Sequence, residues 1–173
     1  MGLDLTGADL SRGDFSESWF TDATLRDVTL VDAELYRSDA QGADFSNSDL
    51  TGASLVRTNL DDAILRGATL DRANLVKASL YGVDAVGASC RGTEFMGASL
   101  LQVDLRSADL RDAVFDENSF QVTLDDETRL EGATGSVLGP AVVKEKGGSQ
   151  ELSGSTLQKW LQDRGASIEV LTR

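Results

Sequence analysis

Acidic side chains are the main candidates for chemistry in this 173-residue chain, which has 29 Asp and Glu, one cysteine and no histidine. The adjacent carboxylates of Asp61–Asp62 and Asp125–Asp126 have the residue types of a general acid–base pair. The missing histidine removes the commonest general base and metal ligand, and we find no phosphate loop and no CxxC motif. We therefore interpret the acid pairs as turn residues, and we expect a non-enzymatic protein with no catalytic residue, no cofactor and no metal site.

A five-residue repeat over residues 1–120 determines where these acids lie. From Met1 onward, the fifth residue of each repeat is Leu in 15 and Phe in 6 of 24 cases. The residue two positions earlier is small, and it is Ala in 13 repeats; a mostly polar residue separates the two. This alternation predicts a short strand with one buried face, followed by a turn at two polar or glycine residues. The lone Cys90 occupies a central position, so we expect a buried, inert thiol.

A strand that turns every five residues, always with the same face inward, winds into a β-solenoid. The motif A-[DNST]-L resembles the pentapeptide-repeat family and occurs at Ala8-Asp9-Leu10, Ala53-Ser54-Leu55, Ala73-Asn74-Leu75 and Ala108-Asp109-Leu110. The resemblance covers about 120 of the 173 residues. It implies an all-β solenoid, a right-handed quadrilateral β-helix with four repeats per coil and hence about six coils.

The repeat weakens after Phe120, which predicts two regions. Residues 1–135 form the β-helix, regular to residue 120 and with a degenerate last coil to residue 135. Residues 136–173 form a small C-terminal α+β cap with a strand, a helix at about 155–164 and a strand at about 167–171. The polar segment 144–153 is interpreted as a loop, and Ser155 with Gln158 resembles a helix capping box.

The C-terminal helix is too short to be stable alone, so its apolar face must be buried. Leu157, Trp160 and Leu161 are therefore candidate cap or dimer contacts. They either cover the last coil or pair with the same helix of a second copy, and the family offers a precedent for C-terminal dimerisation.

The acidic composition limits the classes of partner. The net charge is −13, and residues 1–120 carry 21 acidic and 10 basic side chains. Repulsion by phosphate groups makes nucleic acid and an anionic membrane poor direct ligands. We identify no secretory signal and no apolar run long enough to span a bilayer. We therefore expect a cytoplasmic protein that binds neither nucleic acid nor membrane directly.

Two outward-facing groups are candidate binding surfaces. The residue between the two inward positions is acidic in 11 of 24 repeats. The acids of the first three coils form a candidate partner-binding surface: Asp4, Asp9, Asp14, Glu34, Asp39, Asp44 and Asp49. Outward residues 20 positions apart would align along the rod and give a candidate apolar docking stripe: Tyr36, Val56, Val76, Met96, Tyr81 and Leu101. The alternatives are local hydrogen bonding by the acids and ordinary sheet preference for Val and Tyr.

Two functional hypotheses follow. The first is an acidic pentapeptide-repeat protein that acts through protein–protein binding, with an unknown partner. The alternative rests on the resemblance, because the best-studied members of that family are bacterial quinolone-resistance and toxin-immunity proteins that imitate duplex DNA. It implies a DNA mimic that binds DNA gyrase or topoisomerase IV, both type II topoisomerases.

Overall fold

The computed structural model describes residues 2–172, and each coil of the chain contains 20 residues. Parallel bridges join the mid-strand residues to the residues 20 positions later, from Asp4–Thr24 through to Val114–Thr134, except at Asp104, which pairs with Thr123. In the first coil the Leu5 N–H donates to the Thr24 carbonyl at 2.8 Å, and the Thr24 N–H donates to the Leu3 carbonyl at 2.8 Å. Four five-residue repeats per coil form a right-handed quadrilateral β-helix, which confirms the fold that the family resemblance implies.

Positions on the rod are named by four faces and the corners that follow them. Face 1 contains Asp4, face 2 contains Asp9, face 3 contains Asp14 and face 4 contains Trp19. Each place recurs every 20 residues because the bridges keep that spacing. A corner takes the number of the face before it, so corner 3 lies between faces 3 and 4.

The interior of the rod is filled by the central and small residues of the repeats. From Phe20 to Phe120 the central residues are buried, and the Phe95 and Phe115 rings stack with their centroids 5.2 Å apart. Cys90 is 3% exposed, and burial raises the pKa of its thiol to about 12, so the thiol is protonated at neutral pH. The core is therefore a packed column of side chains.

Each corner is a turn whose second residue has a left-handed backbone. The Ala8 N–H donates to the Leu5 carbonyl at 2.9 Å, and Gly7 between them has φ of 71°. The prediction of glycine corners is confirmed at eight positions in the regular coils: Gly7, Gly42, Gly52, Gly67, Gly82, Gly87, Gly92 and Gly97. Non-glycine residues such as Arg57 occupy the same place with φ near 59°. Position in the repeat, and not residue type, therefore sets the backbone conformation.

The five-residue register is interrupted after the sixth coil. Strand β1 (Ser99–Asp104) pairs in parallel with β2 (Asn118–Asp125), and the register shifts by one residue at Gln102. Strand β2 lacks the residue that would form a corner there, so it continues extended, and Val122 and Leu124 become the inward residues. The original register returns at the buried Leu130.

The C-terminal region extends the sheet of the rod. Its elements are β3 (Thr134–Leu138), β4 (Ala141–Glu145), β5 (Gly148–Leu152), α1 (Gly154–Gln162) and β6 (Ser167–Leu171). Strand β2 pairs in parallel with β3 and β4, β3 pairs in parallel with β6, and β4 pairs with β5 in antiparallel fashion. The prediction of a loop at 144–153 is thus wrong: Lys144 and Glu145 end β4, and Gly148–Leu152 form β5, the outer strand of a hairpin with mostly exposed side chains.

Helix α1 begins two residues earlier than the expected capping box implied. Ser153 is the N-cap residue, and its N–H donates to the Thr156 hydroxyl at 3.3 Å. Gln158 instead contacts β6: its side-chain amide donates to the Ile168 carbonyl at 2.6 Å and accepts from the Val170 N–H at 2.7 Å. The amide of Gln158 therefore pairs with β6 as a neighbouring strand would.

Candidate functional site

The candidate acidic surface is divided among all four faces of the rod. Asp4 and Asp44 lie on face 1, Asp9 and Asp49 on face 2, Asp14 and Glu34 on face 3, and Asp39 on face 4. Along each column the acids alternate largely with Thr, Ser or Asn; Asp9, for example, is bridged to Thr29 and Thr29 to Asp49. The negative charge of these acids is therefore distributed around the rod, and the structure does not bring them together in one patch.

Several of these carboxylates are held by the corner that follows them. Asp4 accepts hydrogen bonds from the Thr6 N–H at 3.0 Å and from its hydroxyl at 2.6 Å. Asp9 and Asp14 make the same two contacts with the serine two positions later. The hydroxyl donors and then the backbone donors hold the pKa of all three carboxyls below its ordinary value, so these groups are anionic at neutral pH.

Ion pairing reduces the charge mainly in the C-terminal half of the rod. The pairs within the rod are Arg26–Asp44, Arg66–Asp84, Arg106–Asp104 and Arg111–Asp109. The Arg111 guanidinium donates to Asp109 at 2.8 Å and holds the pKa of that carboxyl below its ordinary value. Among the residues that the structure describes, Asp44 is the one acid of coils 1–3 in such a pair.

The candidate apolar stripe occupies two neighbouring corners. Corner 3 carries Tyr36, Val56, Val76 and Met96 in successive coils, and corner 4 carries Tyr81 and Leu101. Tyr81 is 43% exposed, and the other five side chains are half-buried. The outward residues of face 4 between the two corners are small and uncharged in coils 3–6: Asn59, Ser79, Ser99 and Ser119. Face 4 therefore presents a polar strip with four apolar side chains along the corner-3 edge and two along the corner-4 edge.

Sequence reasoning missed a column of cations beside the stripe. Arg37, Arg57 and Lys77 hold the second position of corner 3 in successive coils, with φ of 55°, 59° and 59°. The Arg37 guanidinium lies 5.4 Å from the centre of the Tyr36 ring. Writing the sequence in rows of 20 residues would have revealed this column. We call the seven corner-3 residues the basic–apolar ridge: Tyr36, Arg37, Val56, Arg57, Val76, Lys77 and Met96.

Face 4 leads into an open cavity beside the C-terminal region. The cavity has a volume of about 560 Å³ and is lined by residues that include Leu101, Ser119, Leu138, Pro140 and Leu171. The apolar edge at corner 4 thus continues beyond the sixth coil, onto β3 and β6.

The candidate contacts of the C-terminal helix lie inside the chain's own core. Leu157 and Leu161 are fully buried, and Trp160 is 7% exposed. The Trp160 indole N–H donates to the Glu145 carboxylate at 3.3 Å, and the Arg164 guanidinium lies 3.6 Å from the centre of the indole ring. A single chain therefore buries all three side chains.

Two further findings concern residues 2–172. No group of three or more Cys, Asp or Glu side chains in this part of the chain has a metal-binding arrangement. No helix within the same residues has the length and apolar character needed to cross a bilayer.

Comparisons with solved structures show where this fold recurs. HetL from Nostoc sp. strain PCC 7120, described as a pentapeptide repeat protein involved in heterocyst differentiation regulation, is 23% identical. The alignment covers 98% of this chain and 80% of HetL, with a TM-score of 0.65. Rfr23 from Cyanothece 51142 is also 23% identical, with 72% and 89% covered and a TM-score of 0.55. A trypsin-treated form of QnrB1, a plasmid-mediated fluoroquinolone resistance protein, has a TM-score of 0.41 at 16% identity, with 99% and 89% covered, and supports no inference about function.

Sequence comparisons identify the family. No curated protein matches the chain. The family model for pentapeptide repeats matches eight copies, over residues 2–27, 29–67 and 73–112. This match covers more than half of the chain and lies within the six regular coils. The chain therefore belongs to the pentapeptide-repeat family.

Proposed function

We propose that this protein is a non-enzymatic binding protein that contacts another protein through the outer surface of its rod. The observation that carries the proposal is the pair of apolar edges along face 4, at corners 3 and 4. The Leu and Phe side chains of the coils fill the interior, so the outer surface is the part of the rod that meets other molecules. Apolar side chains that cluster along a solvent-facing surface are typical of a protein contact.

The rigidity of the rod favours binding along such a strip. Each coil is hydrogen-bonded to its neighbours through every face, as in Leu50 to Thr69 at 2.7 Å. A partner would therefore meet a backbone that is already fixed in one arrangement, which lowers the ordering cost of association. Solenoid proteins commonly bind partners along such extended surfaces.

Site-specific photo-crosslinking tests this function. We expect a photoreactive residue at Val76, on corner 3, to crosslink a protein in extract of the native host. The same residue at Val86, a half-buried valine in the equivalent place on corner 1, should give little product. Equal crosslinking from both positions, or none from either, would contradict binding along face 4.

A second candidate function is DNA mimicry on a type II topoisomerase, conferring resistance to quinolones or to topoisomerase toxins. The observation that favours it is the charge of coils 1–3, which carry 11 acidic and 4 basic residues. Asp44 alone among these acids has an ion-pair partner within the described chain. With rungs about 4.8 Å apart, six coils would present their net charge over roughly 30 Å of a stiff rod, a density of the same order as in duplex DNA.

A gyrase supercoiling assay tests the second candidate. We expect the protein to inhibit supercoiling, and we expect duplex DNA to compete with it. Replacing Asp9, Asp14 and Asp39 with Asn should weaken inhibition more than replacing Asp84, Asp104 and Asp109. The first three lack ion pairs within residues 2–172, whereas the second three are neutralised by arginines. No inhibition at low salt would exclude gyrase as the target.

A further inference from the structure

We propose that the basic–apolar ridge of corner 3 binds an acidic amphipathic α-helix of the partner protein, lying along the rod over coils 2–5. This inference rests on the proposed function, because it names the kind of element that the partner presents to one edge of face 4. Three properties of the ridge favour it: its unpaired cations, its uncharged surroundings in coils 3 and 4, and the spacing of its side chains.

The three cations of the ridge have no partner on the chain itself. Within residues 2–172, no carboxylate lies within 4.0 Å of the side-chain nitrogens of Arg37, Arg57 or Lys77. Each follows an apolar residue of the ridge directly in the sequence, so a cationic column and an apolar column run side by side. A partner that matches both columns needs an apolar stripe flanked by carboxylates.

The surroundings of the ridge are uncharged in its two middle coils, whereas Glu34 and Asp39 flank it in coil 2 and Glu94 flanks it in coil 5. In coils 3 and 4 the outward residues of face 3 are Ser54 and Asn74, and those of face 4 are Asn59 and Ser79. Arg57 and Lys77 are therefore flanked by neutral side chains on both sides. A protein of net charge −13 repels an acidic segment over most of its surface, and the stacked cations of this corner give such a segment a place where it meets positive charge.

The spacing of the ridge fits a helix better than an extended strand. Equivalent residues of successive coils lie about 4.8 Å apart, whereas same-face residues of a strand lie about 6.8 Å apart. Residues i and i+3 of an α-helix are separated by about 4.5 Å along its axis, and those of a full turn by about 5.4 Å. Tyr36 to Met96 span about 14 Å at the rung spacing. A helix of about ten residues, with apolar side chains at i, i+3, i+7 and i+10, covers that length.

The probe that tests this proposal is a designed 16-residue helical peptide labelled with fluorescein. It carries Leu at positions i, i+3, i+7 and i+10, Glu beside each Leu on one flank, and Ala elsewhere. Binding is measured by fluorescence anisotropy on the full chain. One matched peptide has Gln in place of each Glu, and another has two central prolines, which prevent a helix.

Variants at equivalent corners separate the ridge from the overall charge. We expect the Arg57→Glu/Lys77→Glu variant to lose affinity for the Glu peptide by at least about tenfold, because two ion pairs become like-charge contacts. Arg72→Glu is the matched control, since Arg72 holds the same corner position with φ of 58° on corner 2. Its affinity should stay within about twofold. The Arg57→Gln/Lys77→Gln variant should lose less than the Glu variant, and circular dichroism checks that each variant is folded.

Several outcomes would overturn the proposal: no binding of the Glu peptide, equal binding of the Gln or proline peptide, or an equal loss in Arg72→Glu. Preferential binding of duplex DNA or of anionic vesicles to the ridge would overturn it too. Its failure is distinguishable from that of the proposed function. If the peptide fails but crosslinking from position 76 still exceeds that from position 86, the proposed function stands and the helical partner is wrong.

Discussion

The second residue of every corner in the regular coils is held in the left-handed region. Fifteen such positions in the described chain are not glycine, and their φ values lie between 50° and 59°. This conformation costs an L-residue other than glycine roughly 1–2 kcal/mol, and Asp and Asn tolerate it better than most. The coil-to-coil hydrogen bonds on either side of each corner offset this cost, because they fix the positions of the two strands that the corner must connect.

Two glycines of equal backbone conformation should differ in their tolerance of a side chain. Gly82 and Gly87 both have φ of 69°. A Cβ at Gly87 meets no atom within 4 Å, whereas a Cβ at Gly82 would overlap the Asp62 carboxylate of the coil below. We expect Gly87→Ala to lower the free energy of unfolding by about 1 kcal/mol and Gly82→Ala to lower it by more, as measured by urea unfolding. Combining Gly82→Ala with Asp62→Ala should reduce the loss in the free energy of unfolding to that of Gly87→Ala. Equal losses for Gly82→Ala and Gly87→Ala alone would contradict the overlap.

Two buried serines at equivalent inward positions should respond to alanine with opposite signs. The Ser48 hydroxyl donates to the Leu25 carbonyl at 2.5 Å and accepts from the Val28 N–H at 3.2 Å. The Ser38 hydroxyl is equally buried but has no hydrogen-bond partner within the described residues. Ser48→Ala should therefore lower the free energy of unfolding by about 1–2 kcal/mol, and Ser38→Ala should leave it unchanged or raise it. A similar loss in both variants would show that the Ser38 hydroxyl is satisfied in solution.

At the scale of elements, the rod was predictable from the sequence and the C-terminal region only in outline. The regular coils repeat one local pattern, so periodicity alone placed Leu65 and its equivalents inside. After Phe120 that pattern is lost, and pairing between distant segments decides the structure. The hairpin of β4 and β5 and the contact of Gln158 with β6 depend on such pairing. The basic–apolar ridge joins residues 20 positions apart, so it is visible only once the coil length is known.

Gln158 links α1 to the strand beside it, and its removal should loosen that strand. We expect Gln158→Ala to accelerate hydrogen exchange of the Val170 amide by about tenfold, because that amide loses its own hydrogen bond to Gln158, a loss of roughly 1–2 kcal/mol. Gln162→Ala is the control, since Gln162 lies exposed on the same helix. Exchange at Val170 that is unchanged in Gln158→Ala would show that β6 is held by its pairing with β3 alone.

At the scale of the whole molecule, the two ends of the rod differ in how well their apolar side chains are covered. In the first coil Leu5, Leu10 and Phe15 are partly buried, and Trp19 is 85% exposed. At the other end, Leu157 and Leu161 of α1 complete the core. Stability in a solenoid depends on contacts between neighbouring repeats. Within residues 2–172 the first coil therefore contacts one neighbouring coil, whereas the sixth contacts a coil on each side.

Hydrogen exchange in the intact chain should reveal this difference directly. The Leu5, Leu10 and Phe15 amides donate to the next coil at 2.7–2.8 Å, and those of Leu105, Leu110 and Phe115 do so at 2.8–2.9 Å. Because these hydrogen bonds are alike, hydrogen-bond geometry alone predicts equal protection. We expect the first three amides to exchange at least about tenfold faster, since opening the first coil breaks contacts with one neighbour only. Ending the chain at Leu152, which removes α1 and β6, should then accelerate exchange at Leu110 and Phe115 while leaving Leu10 unchanged. Equal protection of the two coils in the intact chain would mean that the rod opens as a single cooperative unit.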